Sequence, residues 1–126
     1  MSSKYERELR TILRKYGYLV IRSAGSFVID LVAIPKLFCN IEDIKFIEEK
    51  STHGKSLYIS NTEKSKRQFD ENKRIYNEYN IEIVYAVRFI SAKAGKNWRI
   101  FEIDYEEDGY PIFKEDKGIK LKDWLE

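Results

Sequence analysis

Phe27-Val28-Ile29-Asp30-Leu31-Val32-Ala33-Ile34 and, further on, Phe46-Ile47-Glu48-Glu49-Lys50 decide the reading of this chain. Both runs are apolar and rich in β-branched residues, as strands at the centre of a sheet are. The first reads as a strand ending at Pro35. The second closes a strand over Ile41 to Lys50, after a turn around Asn40. Each carries acid where a buried strand should carry none, and an unpaired buried charge costs several kcal/mol. Side chains alternate along a strand, so Glu48 and Lys50 share one face while Glu49 points to the other. If the two strands are neighbours, Asp30, Glu48 and Lys50 converge at one end of the sheet. Two acids there suit a hard cation such as Mg²⁺, which takes oxygen ligands. A lysine beside them can orient or help deprotonate water for attack on phosphorus. A plainer alternative stays open, in which Asp30 and Lys50 form a buried salt bridge and Glu48 is a solvated edge residue.

Outward from these strands, Tyr5, Leu9, Ile12, Leu13 and Tyr16 fall on one face of a helix over Tyr5 to Tyr16, with Gly17 as its stop. Tyr18 to Ile21 is too short for a helix and reads as a strand. Arg22-Ser23-Ala24-Gly25-Ser26 is a small-residue turn after an arginine, a place where backbone amides and a guanidinium can meet phosphate; an ordinary hairpin with a surface arginine is the alternative. Glu6 borders the buried face of the first helix, or else pairs with Arg10 one turn on. Thr52-His53-Gly54-Lys55-Ser56 is a polar loop. Ser60 with Glu63 has capping-box spacing and opens a helix to about Glu78. Glu82 to Phe89 and Trp98 to Ile103 are further strands, and Gly109 and Pro111 leave a short C-terminal segment. Trp98 and Phe101 are expected in the core or on a sheet face, and His53 in the loop. The order of elements predicts an α/β fold with a mixed central β-sheet flanked by helices.

The chain has 126 residues, one domain by size, with a core over about 4–103 and a C-terminal segment 104–126. One cysteine, Cys39, excludes an internal disulfide, and one histidine leaves no Cys/His zinc cluster. No apolar run approaches the roughly 20 residues of a membrane span, and Met1-Ser2-Ser3-Lys4 precedes no secretion-signal stretch. A cytoplasmic, intracellular protein with no membrane partner is expected. The net charge of +2 is divided between −5 over residues 102–126 and +7 over the rest. A basic body of this kind suits a polyanion on one face.

Glu6-Arg7-Glu8-Leu9, Tyr18 to Ser26, Asp30 to Ala33, Ile47 to Lys50, Leu57 to Ile59, Ala86 to Phe89 and Trp98 to Phe101 occur in an order that resembles the archaeal Holliday junction resolvases. These belong to the restriction-endonuclease-like nuclease superfamily, and the likeness spans roughly residues 4–103. The resemblance implies that fold and a Mg²⁺-dependent endodeoxyribonuclease, with Mn²⁺ expected to substitute. Its substrate would be four-way junction DNA, resolved by paired symmetric nicks in DNA recombination and repair. It implies that Asp30 and Glu48 bind the metal, that Glu6 supports that site, and that Lys50 is the catalytic lysine. Arg7 and Arg22 would serve cleavage or phosphate contact, Ser26 would lie near the scissile strand, and Lys55 would contact DNA from its loop. A homodimer is implied, with Phe69, Ile75, Tyr76 and Tyr79 offered for the subunit contact. The chain departs from the family at Ile29, where proline is frequent, in the longer link 35–43, and in extra residues after Tyr58. Other branched, flap or single-stranded DNA is the alternative substrate, and a catalytically inert DNA-binding protein of the same fold is the alternative class.

Overall fold

The computed structural model of the chain describes residues 4–23, 29–37, 40–90 and 97–126. Helix α1 (Lys4–Lys15) buries Leu9 and Leu13 completely, as their spacing predicts, and carries Glu6 in its first turn with Arg14 and Lys15 in its last. Gly17 ends it at φ +92°, a conformation that L side chains rarely adopt. Strands β1 (Leu19–Arg22), β2 (Leu31–Ile34) and β3 (Lys45–Thr52) follow. The expected strand from Ile41 begins later than its sequence indicates. Asn40 accepts a hydrogen bond from the Glu42 amide at 3.2 Å and caps a 3-10 turn over Ile41–Asp43 instead. A local side-chain bond of this kind competes with the sheet ladder.

Strand β4 (Ser56–Tyr58) and a 3-10 turn (Ile59–Asn61) lead to α2 (Glu63–Tyr79). Its cap is Thr62, whose hydroxyl accepts from the Ser65 amide at 3.1 Å, and not Ser60. Left-handed Asn80, at φ 57°, closes it. Strands β5 (Ile83–Phe89) and β6 (Trp98–Phe101) come next. The C-terminal segment then proves structured, with β7 (Ile112–Lys114), a 3-10 turn (Glu115–Lys117), β8 (Ile119–Lys120) and α3 (Leu121–Leu125). Strand β7 pairs with β4, and β8 pairs with β6 at the edge of the main sheet. Gly118 lets β8 approach, because a Cβ there would lie 2.6 Å from the Arg99 Cβ.

Among the described residues the main sheet runs β1-β2-β3-β5-β6-β8, parallel only between β3 and β5. One face packs on α1 and α3 through Leu9, Leu13, Val20, Leu31, Ala33, Ile47, Ala86, Ile100 and Leu121. The other carries Ile83, Tyr85, Val87 and Phe89, covered by Phe69 of α2 with Ile59, Tyr105 and Phe113. Burying a leucine in this way stabilises by about 1.5–3 kcal/mol. The expected mixed sheet flanked by helices is what the chain forms. No described helix is long and apolar enough to cross a membrane.

Candidate active site

The register of β2 on β3 sets Leu31 opposite Ile47, and the Asp30 amide donates to the Ile47 carbonyl at 3.2 Å. Asp30 therefore sits beside Glu48 at the end of the ladder. Its Oδ2 accepts from the Glu49 amide at 2.8 Å, and so takes up the N–H that a longer β2 would have paired. This explains why β2 starts at Leu31. A carboxylate, and no further strand backbone, finishes the edge.

Glu48 is 1% exposed, with Oε1 buried and lacking a hydrogen-bond partner. It is not the solvated edge residue of the plainer alternative. Burial, and next the negative charge of Asp30, push its carboxyl up to about 9, against the pull of Lys50. Lys50 follows on the same face of β3. Its ammonium donates to Gln68 Oε1 on α2 and lies 3.9 Å from Glu48 Oε2. Two adjacent acids, one with an orphaned buried oxygen, form a donor set that fits a hard divalent cation. Among the described residues no group of three or more His, Cys, Asp or Glu side chains is placed to hold one ion.

Glu6 stays outside that pair because an arginine takes it. Glu6 Oε1 lies 2.8 Å from Arg22 Nε and 3.9 Å from Arg10 Nε. The Ser23 amide donates to the Asp30 carbonyl at 3.0 Å, so the end of β1 is tied to the same corner of the sheet. Arg22 pairs across the strands with Leu31, in the α1 core, so Glu6 and Arg22 flank Asp30 from the α1 side. Arg7 and Lys55 are exposed, and Ser26 lies outside the described residues, as does Cys39.

Of the residues offered for a subunit contact, Phe69 is 3% exposed and stacks on Tyr105 at 5.6 Å. It belongs to this chain's own core and has no surface left for a partner. Ile75 and Tyr76 are half-buried against the same cluster, and Tyr79 is 65% exposed.

Two groups of residues escape the sequence reading. On α2, Asn72 is fully buried and donates to the Tyr85 hydroxyl at 2.7 Å, while Gln68 one turn earlier holds Lys50. Tyr85 is the register partner of Glu48, and burial with the Glu48 charge raises its pKa. The signal was an asparagine on the apolar stripe Phe69, Asn72, Tyr76, where a polar side chain implies a buried bond. Glu8 forms the second group. Its Oε1 lies 2.9 Å from Arg88 Nε and also accepts from Trp98 Nε1, while the Arg88 guanidinium sits 5.4 Å from the Tyr5 ring centre. This fastens the N-terminal half of α1 to the C-terminal end of β5. Trp98 is buried at 2%, and His53 is an exposed loop residue, both as expected.

The chain can now be compared with known proteins. The sequence profile of the family described as archaeal Holliday junction resolvase (Hjc) matches residues 2–126. A relative from Methanocaldococcus jannaschii, named crossover junction endodeoxyribonuclease Hjc, is 30% identical over 134 residues, covering 98% of this chain and 94% of that one. The solved structure of Archaeoglobus fulgidus Hjc, a Holliday junction resolvase from a hyperthermophile, shares the fold with a TM-score of 0.66. It is 23% identical, covering 97% of this chain and 93% of the other. The sheet and its flanking helices are thus those of a restriction-endonuclease-like fold, and the chain belongs to the archaeal Holliday junction resolvase (Hjc) family.

Proposed function

We propose that the chain is a Mg²⁺-dependent endodeoxyribonuclease that resolves four-way DNA junctions as a homodimer, by paired symmetric nicks. The single observation that carries the chemistry is the Asp30–Glu48 pair at a sheet end, Glu48 buried and Asp30 half-buried, with Lys50 beside it. Asp30 and Glu48 would hold the cation, with Mn²⁺ as a substitute. A cation there supplies positive charge that acidifies water and offsets the charge that builds up at phosphorus. Lys50 adds a second positive charge facing the scissile phosphate, which stabilises the extra negative charge of the in-line transition state. Arg22, held by Glu6, takes a neighbouring phosphate oxygen, and the exposed Arg7 and Lys55, together with Ser26, position the strand. The 3′ oxygen leaves, giving 5′-phosphate and 3′-hydroxyl ends. Junction choice rests on shape and not on base reading.

A dimer supplies the second active site that symmetric nicking needs. Exposed Tyr79 supports it, as do Leu19 and Ile21 at 63% and 48% exposure on β1. Cleavage of a labelled four-way junction in Mg²⁺, run beside duplex, flap and single-stranded DNA, tests the whole reading. Paired nicks confined to the junction support it. Preference for a flap or single strand would instead favour a same-fold nuclease of different substrate. Binding without any cleavage would favour an inert DNA-binding protein.

A further inference from the structure

We propose that Gln68 is a positioning residue of this site, whose amide oxygen holds the Lys50 ammonium away from Glu48 and keeps it available to the scissile phosphate. The inference rests on the nuclease reading above. Lys50 and Glu48 lie two residues apart on one face of β3, and a lysine stem is long and flexible. In a poorly solvated corner, an ammonium and a carboxyl so placed close to a direct hydrogen bond of about 2.8 Å, charge-assisted even while the acid keeps its proton. Here they stand 3.9 Å apart, beyond hydrogen-bond reach. The hydrogen-bond acceptor recorded for the ammonium is Gln68 Oε1. Once Glu48 exchanges its proton for a cation, a closed Lys50–Glu48 pair would occupy an oxygen that the cation needs. Glutamine is suited to prevent this, because its amide oxygen accepts a hydrogen bond from the ammonium.

The fold fixes that oxygen firmly. Gln68 is half-buried and directly precedes Phe69, which is locked in the core at 3% exposure. One turn later Asn72 is tied to the Tyr85 hydroxyl at 2.7 Å, and Tyr85 is the strand neighbour of Glu48. Helix α2 therefore reaches the site at two points, one on Lys50 and one behind Glu48.

The test compares Gln68→Met, which keeps the length and removes the acceptor, with Gln68→Glu, which keeps an acceptor oxygen. Single-turnover cleavage of a saturated four-way junction, junction Kd, thermal melting and Mg²⁺ binding to the DNA-free protein by calorimetry are measured for each. Gln68→Met should cut about tenfold more slowly and bind Mg²⁺ severalfold more weakly, with junction Kd and melting unchanged. Gln68→Glu should keep most of the rate. Equal slowing of both variants, or a Gln68→Met enzyme within twofold of the parent in rate and Mg²⁺ affinity, would overturn the assignment. Lys50→Met is the control. If it cleaves like the parent, the reading of the site has failed; if it is inactive while Gln68→Met is normal, only the role of Gln68 has.

Discussion

At Glu48 the chain keeps a carboxyl in an almost dry corner beside a second acid, and the consequence is a dependence of stability on pH. The folded carboxyl is raised to about 9 from an ordinary 4.5, by burial first and by Asp30 second. The folded chain thus binds a proton that the unfolded chain releases between these values. Its stabilising contribution is fully present below about 4.5 and is lost as pH rises towards 9, at no more than about 1.4 kcal/mol per pH unit. Urea unfolding in chelator at pH 5, 7 and 8.5 should show stability falling with pH. Glu48→Gln should flatten the trend, and so should Mg²⁺, which binds the deprotonated form. A level profile in the parent would mean that Glu48 is ionised throughout. Asp30→Asn tests the same pair by activity. It should lower the cleavage rate on the order of 10³-fold, several kcal/mol of lost transition-state stabilisation, while junction binding is kept or tightened as a negative charge near phosphate is removed. Unchanged cutting by a folded mutant would remove the metal assignment. Asp30, Glu48 and Lys50 were legible because acids inside apolar runs are anomalous. The Glu6–Arg22 pair was not, since Glu6 had a local partner in Arg10 at helix spacing.

At the scale of elements, the long periodic segments could be read and the short ones could not. Helix α1 carries enough repeats to declare its period, α2 a capping signal at its start, and β5 a continuous apolar run of strand length. Strands β7 and β8 have three and two residues, and their pairing with β4 and β6 is set by tertiary contact alone. The boundary at Ile41 failed for a local reason, the Asn40 cap. The attachment of α1 also depends on a distant contact, 80 residues away in sequence, between Glu8 and Arg88. Glu8→Ala should remove the carboxylate from Arg88, itself 6% exposed, and from the Trp98 indole. A loss of about 1.5–3 kcal/mol is expected for bonds to a charged group. Denaturant melts with unchanged slope would check it, and a change under 0.5 kcal/mol would show the pair to be idle. Cleavage should fall as well, because Glu8 directly follows Glu6 and Arg7 in α1.

For the whole molecule, the basic surface is not confined to the basic part of the sequence. Lys15 and Arg99 line a groove between α1, β6 and α3 together with Lys120 and Lys122 of the acidic segment, and Arg7 and Arg22 are exposed, Arg22 beside Glu6. Junction affinity should therefore fall steeply with salt, by about 0.9 in the log–log slope for each duplex phosphate engaged. A nearly flat response in a salt titration would argue against DNA as the ligand.

The proposed subunit contact is where the structure changes the sequence-based expectation most. Phe69 is withdrawn into the core, yet apolar surface remains on β1. Leu19 and Ile21 alternate with buried Val20, so they stand on the α2 side of the sheet, beyond the strands that α2 covers. Their register partners Ile34 and Val32 are only half-buried, and β1 is the sheet's edge strand. Leu19 and Ile21 thus form an exposed apolar patch on the edge strand, of the kind that marks an interface. A two-fold contact through it would pair the patch with itself and place two active sites at a fixed distance. Ile21→Glu tests this, because two copies of the new charge would meet across the axis without a partner, whereas a monomer would leave each in water. Sedimentation at micromolar concentration should find the parent near twice 15.0 kDa and the variant as monomer. On a four-way junction the variant should lose paired nicking and leave singly nicked products. A parent that stays monomeric on junction DNA would remain a nuclease, but its nicks could not be paired by this design.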